Sequence, residues 1–229
     1  MANKEGRRPR RKEEKYTNIE EWIPKTKLGK EVMEGKTTID QIFQEGKKIM
    51  EPEIVDFLLP GIEHELILIG GSPGKGGGKR RTPSKRTARM HKSGRRFNTT
   101  CLVVAGNKDG YVGIGVGKAP EFQNALEKAV KKAKMSIIPI RRGCGSWECG
   151  CGKVHSIPFE VRGKEGSSIA TLKPAPKGVG LCASDSVKKL MILAGIRDVW
   201  IKSSGRTQTR TNYIKAVFSA LKKLNKVKV

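Results

Sequence analysis

The stretch Arg96–Ala133, RFNTTCLVVAGNKDGYVGIGVGKAPEFQNALEKAVKKA, decides the fold. Arg96–Ala105 is rich in β-branched and apolar residues and predicts a strand, Asn107-Lys108-Asp109-Gly110 supplies turn residues, and Tyr111–Val116 predicts a second strand of a hairpin. Gly113, Gly115 and Gly117 alternate along that strand and leave one face bare, which suits close approach by a neighbouring backbone. Pro120 then sits where a first helical turn accepts it. Phe122, Ala125, Leu126, Ala129, Val130 and Ala133 follow at helical spacing, with Lys128, Lys131 and Lys132 on the other face. With the short apolar run His64–Ile69 as a first strand, residues 62–136 form one α+β unit.

The flanks extend this pattern. Residues 137–229 predict strands at Ser156–Arg162 and Ile169–Lys173, then a helix capped by Ser184 with Val187, Leu190, Met191 and Ala194 inward and Gly195 as terminator. A strand at Asp198–Ser203 follows, and a last helix carries Ile214, Val217, Phe218, Leu221 and Leu224. Upstream, residues 19–61 predict a helical extension of short helices divided by Pro24, Gly35, Gly46 and Pro52, with Thr38-Ile39-Asp40-Gln41 as one helix start. Residues 1–18 mix Arg and Lys with Glu and predict a flexible basic arm. The expected class is α+β, with an N-terminal helical extension and two α+β domains at 62–136 and 137–229.

Composition narrows the partners. The chain has 229 residues, with 47 Lys+Arg against 22 Asp+Glu, for a formal net charge of +25. Its apolar fraction is ordinary, so a core can form, and the charge calls for a polyanion, nucleic acid before membrane. No apolar run is long enough to span a bilayer, and the start MANKEGRRPRRKEEK lacks the apolar centre of a signal peptide. Five Cys, three of them within 144–151, then suggest a reducing compartment and metal or free thiols. Cys101 and Cys182 lie in apolar runs and are expected in the core.

Between Glu65 and Asp109 no acidic residue occurs. Lys75, Lys79, Arg80, Arg81, Lys85, Arg86, Arg89, Lys92, Arg95 and Arg96 crowd around Gly70, Gly71, Gly74 and Gly76–Gly78. Such a segment is expected to stay an open loop, because like charges repel and little apolar surface is available to bury. Against polyphosphate the sign reverses, and each cation pairs with phosphate and releases a counterion. Neither a phosphate-binding G-x-x-x-x-G-K-[ST] loop nor G-x-G-x-x-G is present. No Ser, Cys or His has the context of a nucleophile or base, aromatic residues are scattered, and neither catalysis nor a small-molecule substrate is expected. RNA recognition is expected to rest on phosphate, ribose and shape.

Cys144-x4-Cys149-x1-Cys151-x3-His155 places four soft ligands in one glycine-rich segment, 144–155, and predicts a four-ligand zinc site. Two other readings stay open: spectator thiols, or a site in which another residue replaces His155.

The residues Val103–Ala119, VVAGNKDGYVGIGVGKA, with the Ala-rich basic helix after them, closely resemble the signature of the universal small-subunit ribosomal protein S-five family. Pro174–Gly180, PAPKGVG, and Leu193–Val199, LAGIRDV, resemble the second half of that family. The likeness runs from about Ile54 to Leu224. Leu59-Pro60-Gly61 and the long N-terminal region are similar to the archaeal and eukaryotic branch, and the segment 144–155 to archaeal members. The resemblance implies a double-stranded-RNA-binding-like domain at 62–136 and the family's second domain after it. It further implies a cytoplasmic place on the small subunit, near where messenger RNA enters, beside rRNA and the S-four and S-eight family proteins. There the segment Gly70–Arg96 would reach rRNA near the decoding region, and the protein would support assembly and accuracy; contact with messenger RNA is left open. A free double-stranded-RNA-binding assembly factor and a zinc-dependent RNA-processing enzyme are the alternative functions.

Overall fold

The computed structural model describes residues 22–74 and 76–225, so the expected arm at 1–18 and Lys75 lie outside the described residues. Three short helices come first: α1 (Lys27–Met33), α2 (Ile39–Gln44) and α3 (Pro52–Leu58). Local chemistry sets where they start. Gly29 N donates to Thr26 Oγ1 (3.1 Å), Thr38 N donates to Gln41 Oε1 (2.9 Å) in a capping box, and Pro52 fills the first turn of α3. Val32, Ile42, Ile54 and Val55 form a small core with Ile137.

Next come β1 (Glu63–Leu66), β2 (Gly70–Pro73), β3 (Lys79–Thr82), β4 (Ser84–His91), β5 (Gly94–Gly106), β6 (Tyr111–Ala119), α4 (Phe122–Met135) and β7 (Ile138–Pro139). The main sheet is antiparallel with order β1-β5-β6-β7. β5 is long enough to take two partners on one edge: β4 along Gly94–Cys101 and β1 along Val103–Gly106. Its alternation sorts the interior. Cys101, Val103 and Ala105 pack with Ala125, Ala129, Val130 and Ala133 of α4, while Leu102 and Val104 enter the largest core on the other side. At Gly115 an added Cβ would collide with the Ala129 carbonyl, and Gly113 and Gly117 meet the Ala133 and Ala125 carbonyls in the same way. The bare strand face is thus the seat of the helix backbone.

The second unit holds β8 (Val161–Glu165), β9 (Ser168–Pro174), β10 (Leu181–Cys182), α5 (Asp185–Leu193), β11 (Val199–Ser204) and α6 (Arg210–Leu224). Its sheet runs β10-β11-β9-β8, with β10 parallel to β11 and the other pairs antiparallel. Ile214, Val217 and Leu221 of α6 and Leu190, Met191 and Leu193 of α5 join Leu102, Val104 and Val112 of the main sheet in one core. That core runs across the position between 136 and 137 where the sequence divides into two units.

Three expectations need correction. The segment Gly70–Arg96 is not an open loop: β2 pairs β3, and β4 pairs β5 from Ser84↔Cys101 to His91↔Gly94. Ladder hydrogen bonds do not require apolar side chains, so charge alone does not prevent a hairpin. The strand expected at Ser156–Arg162 begins only at Val161, since Pro158 has no N–H for a ladder and Ser156 makes a single bridge with Gly143. Cys101 is buried as expected, but Cys182 is exposed on the short strand β10. Gly106, at the end of β5, is buried, and an added Cβ there would strike the Leu193 and Tyr111 carbonyls.

Candidate nucleic-acid interface and cysteine cluster

Beyond Thr99, where β6 stops pairing, the β4–β5 hairpin continues alone as a finger. Five register pairs, Thr87↔Asn98 to His91↔Gly94, project from the body, a reach of roughly 16 Å. Arg89, Lys92, Arg95 and Arg96 are exposed on it, Lys85 and Arg86 are exposed at its root, and Arg80 and Arg81 are exposed on β3. Arg89 stands directly opposite Arg96, a like-charge pairing that disfavours the hairpin in water. Among the described residues, none of these eight cations pairs with a carboxylate. Two of them lie over an aromatic ring. Arg86 Cζ lies 4.0 Å and Arg95 Cζ 5.4 Å from the Phe97 centroid. The pattern is a paired backbone ladder carrying positive charge without carboxylate partners, which an anion would neutralise.

Lys128, Lys131 and Lys132 are exposed on α4, which starts beside the root of the finger, where Thr99 Oγ1 donates to the Pro120 carbonyl (3.3 Å). The structure therefore brings the α4 lysines to within roughly 18 Å of that root along the helix axis. Lys134, one turn on, points the other way: it is buried, and its Nζ meets Oδ2 of the partly buried Asp56 at 2.7 Å and ties α3 to α4. The side chain of Lys79 is not among those described.

Sequence reasoning missed a second basic surface. A cleft of about 970 Å³ is lined by Lys108, Arg142, Lys153, Lys177 and Arg197, with Asp109 and Asp198. Its residues come from five separate stretches, and only the fold assembles them.

The cysteine segment borders this cleft. Gly143 N donates to the Ser156 carbonyl, Ser156 N donates to the Gly143 carbonyl (both 2.9 Å), and Gly145 N donates to the Ile157 carbonyl (3.2 Å). These bonds clamp the two ends together, and the clamp needs Gly145, where a Cβ would strike the Pro158 carbonyl. Inside the clamp the ligand atoms of Cys144, Cys149, Cys151 and His155 all lie within 4.8 Å of one another. Cys144 Sγ and Cys151 Sγ are 3.6 Å apart, and Cys149 Sγ is 3.8 Å from His155 Nε2. Tetrahedral zinc with bonds of about 2.0–2.3 Å spaces its ligands roughly 3.5–3.8 Å apart, so this donor set fits the ion. Backbone N–H groups of Lys177 and Cys151, with the Cys151 thiol, pull the Cys149 thiol down to about 6, into the thiolate range a metal requires. Burial and the neighbouring sulfurs push Cys144 up. Trp147, at the tip of the segment, is 92% exposed.

Fold and surface together define a basic α+β protein shaped to hold a polyanion, with a small side-chain cluster suited to a metal. Comparison with known proteins is specific. The profile for ribosomal protein S5, N-terminal domain, matches residues 83–141, and that for ribosomal protein S5, C-terminal domain, matches 163–229. The small ribosomal subunit protein uS5 of Nanoarchaeum equitans is 52% identical over 215 residues, covering 93% of this chain and 91% of its own. The uS5 of Methanothermobacter thermautotrophicus is 52% identical over 212 residues (92% and 91%), and that of Methanocaldococcus jannaschii 50% over 209 (91% and 89%). The chain belongs to the ribosomal protein S5 family. The segment 144–155 falls between the two matched profiles.

Proposed function

We propose that this chain is a structural, rRNA-binding component of the small ribosomal subunit in the cytoplasm, supporting subunit assembly and accuracy without chemistry of its own. The observation that carries the RNA contact is the β4–β5 finger, with its exposed and unpaired cations. Phosphate contacts of this kind position a protein on RNA and carry little sequence information. Arg80, Arg81, Lys85, Arg86, Arg89, Lys92, Arg95 and Arg96 are assigned to rRNA phosphates near the decoding region. Lys128, Lys131 and Lys132 of α4 are assigned to a second stretch of rRNA, and Lys75 and Lys79 to the same role on sequence alone. The S-four and S-eight family proteins, and messenger RNA, are the proposed neighbours.

Cys144, Cys149, Cys151 and His155 are proposed to hold a structural zinc ion. Four protein ligands leave no open position, so the ion's role is to fix the segment between the two units. The test of the RNA reading is binding of the full chain to small-subunit rRNA across a salt series, with the finger arginines intact or neutralised. Affinity and salt slope that do not respond to neutralisation would remove the finger from the interface. Metal analysis of protein purified without chelator tests the zinc: about one equivalent per chain supports it, and well under half an equivalent rejects it.

A further inference from the structure

Asp198, in the stretch LAGIRDV, is buried and has three partners. Its Oδ2 lies 2.8 Å from His155 Nδ1, and its Oδ1 accepts the backbone N–H groups of Gly178 (3.2 Å) and Gly180 (2.8 Å). The backbone repeats the link, since the His155 carbonyl accepts from Arg197 N (2.9 Å) and Asp198 N (3.1 Å).

We infer that Asp198 is the positioning residue of the metal site, and that through it metal occupancy is coupled to the order of the turn Pro176–Gly180. The inference rests on the zinc reading given above. A carboxylate is an acceptor only, so it holds the imidazole proton on Nδ1 and leaves the Nε2 lone pair facing the sulfurs. A metal drawn to Nε2 polarises the ring and strengthens the Nδ1–H bond to Asp198, whose other oxygen holds two amides of the turn. Lys177 is exposed on that turn and lines the basic cleft. Metal therefore stiffens one wall of a cationic surface.

Asp198→Asn separates the roles. The amide oxygen can still accept from Gly178 and Gly180, but its NH2 then faces His155 Nδ1 and drives the ring proton to Nε2, the ligand atom. Turning the amide over restores the histidine and sets NH2 against two backbone donors. Zinc affinity of the full chain, read by competition with a chromophoric chelator, should fall about 10–100-fold in Asp198→Asn. Nitrogen-15 spectra of the wild-type protein should show His155 protonated at Nδ1 in the zinc form. Hydrogen exchange at Gly178 and Gly180 in wild type should slow when zinc is added, a measurement that does not depend on the variant folding. Affinity within twofold of wild type, or exchange at those amides indifferent to zinc, would overturn the coupling while leaving the metal site standing. Wild-type protein that takes up no zinc would overturn both.

Discussion

Replacing Arg86, Arg89, Arg95 and Arg96 together with Gln removes four cations from the finger and its root, where these side chains are exposed and the ladder is backbone. The body should stay folded, since Cys101, Val103 and Ala105 on the same strand keep their packing on α4. If each arginine neutralises one phosphate, the slope of log K against log salt becomes shallower by roughly 0.7–0.9 per contact, or about 2.8–3.6 for four. Between 50 and 200 mM salt that difference changes the ratio of wild-type to variant affinity by about 50–150-fold. Filter binding to small-subunit rRNA at several salt concentrations, with circular dichroism as the fold check, measures it. A folded variant whose slope matches wild type within about one contact would refute the phosphate assignment.

Three further outcomes follow from packing and charge. Gly115→Val should lower the melting temperature sharply, because overpacking against the Ala129 carbonyl costs about 1–3 kcal/mol or more; an unchanged melt would mean α4 does not seat on β6 as described. Asp56→Ala should leave Lys134 as an unpaired buried cation and cost about 3–5 kcal/mol, with Lys134→Met in the same chain restoring much of it; a chemical denaturation cycle showing additivity would contradict the pair. Burial opposes the charge on Glu51, but hydrogen bonds from Thr26, Trp22 and Lys25 outweigh it and hold the carboxyl below its ordinary range. A depressed carboxylate contributes stability above its unfolded value of about 4.3 and loses it as pH falls through the folded value. Trp22 fluorescence, with Trp147 and Trp200 replaced by Phe, should therefore report loosening of the first helices in acid, and Glu51→Gln should abolish that step.

How much of this could be read beforehand depends on the range of the interaction. α4 and its strand were legible because Ala125, Ala129 and Ala133 repeat at helical spacing and Gly113, Gly115 and Gly117 at strand spacing. The capping box at Thr38 and Gln41 was legible for the same reason, three residues apart. The hairpins inside the basic segment were hidden because charge masks the alternation by which strands are recognised, and backbone ladders leave no mark on composition. Phe97 as an arginine platform was likewise hidden. Lys134 and Asp56 are 78 residues apart, and His155 and Asp198 are 43 apart, separations at which only the fold makes neighbours. Of the cluster, the ligand types and glycines were visible in sequence, whereas the clamp at Gly143 and Ser156 that brings the ligands together was not.

The central claim is that this chain is a stoichiometric structural component of the small ribosomal subunit. Sucrose-gradient sedimentation of native ribosomes, with the protein quantified against rRNA in each fraction, tests it most directly. The account predicts about one copy per small subunit, retained in assembled ribosomes and at moderately raised salt. Protein found only in precursor fractions, or well below one copy in mature subunits, would contradict it and favour a free assembly factor.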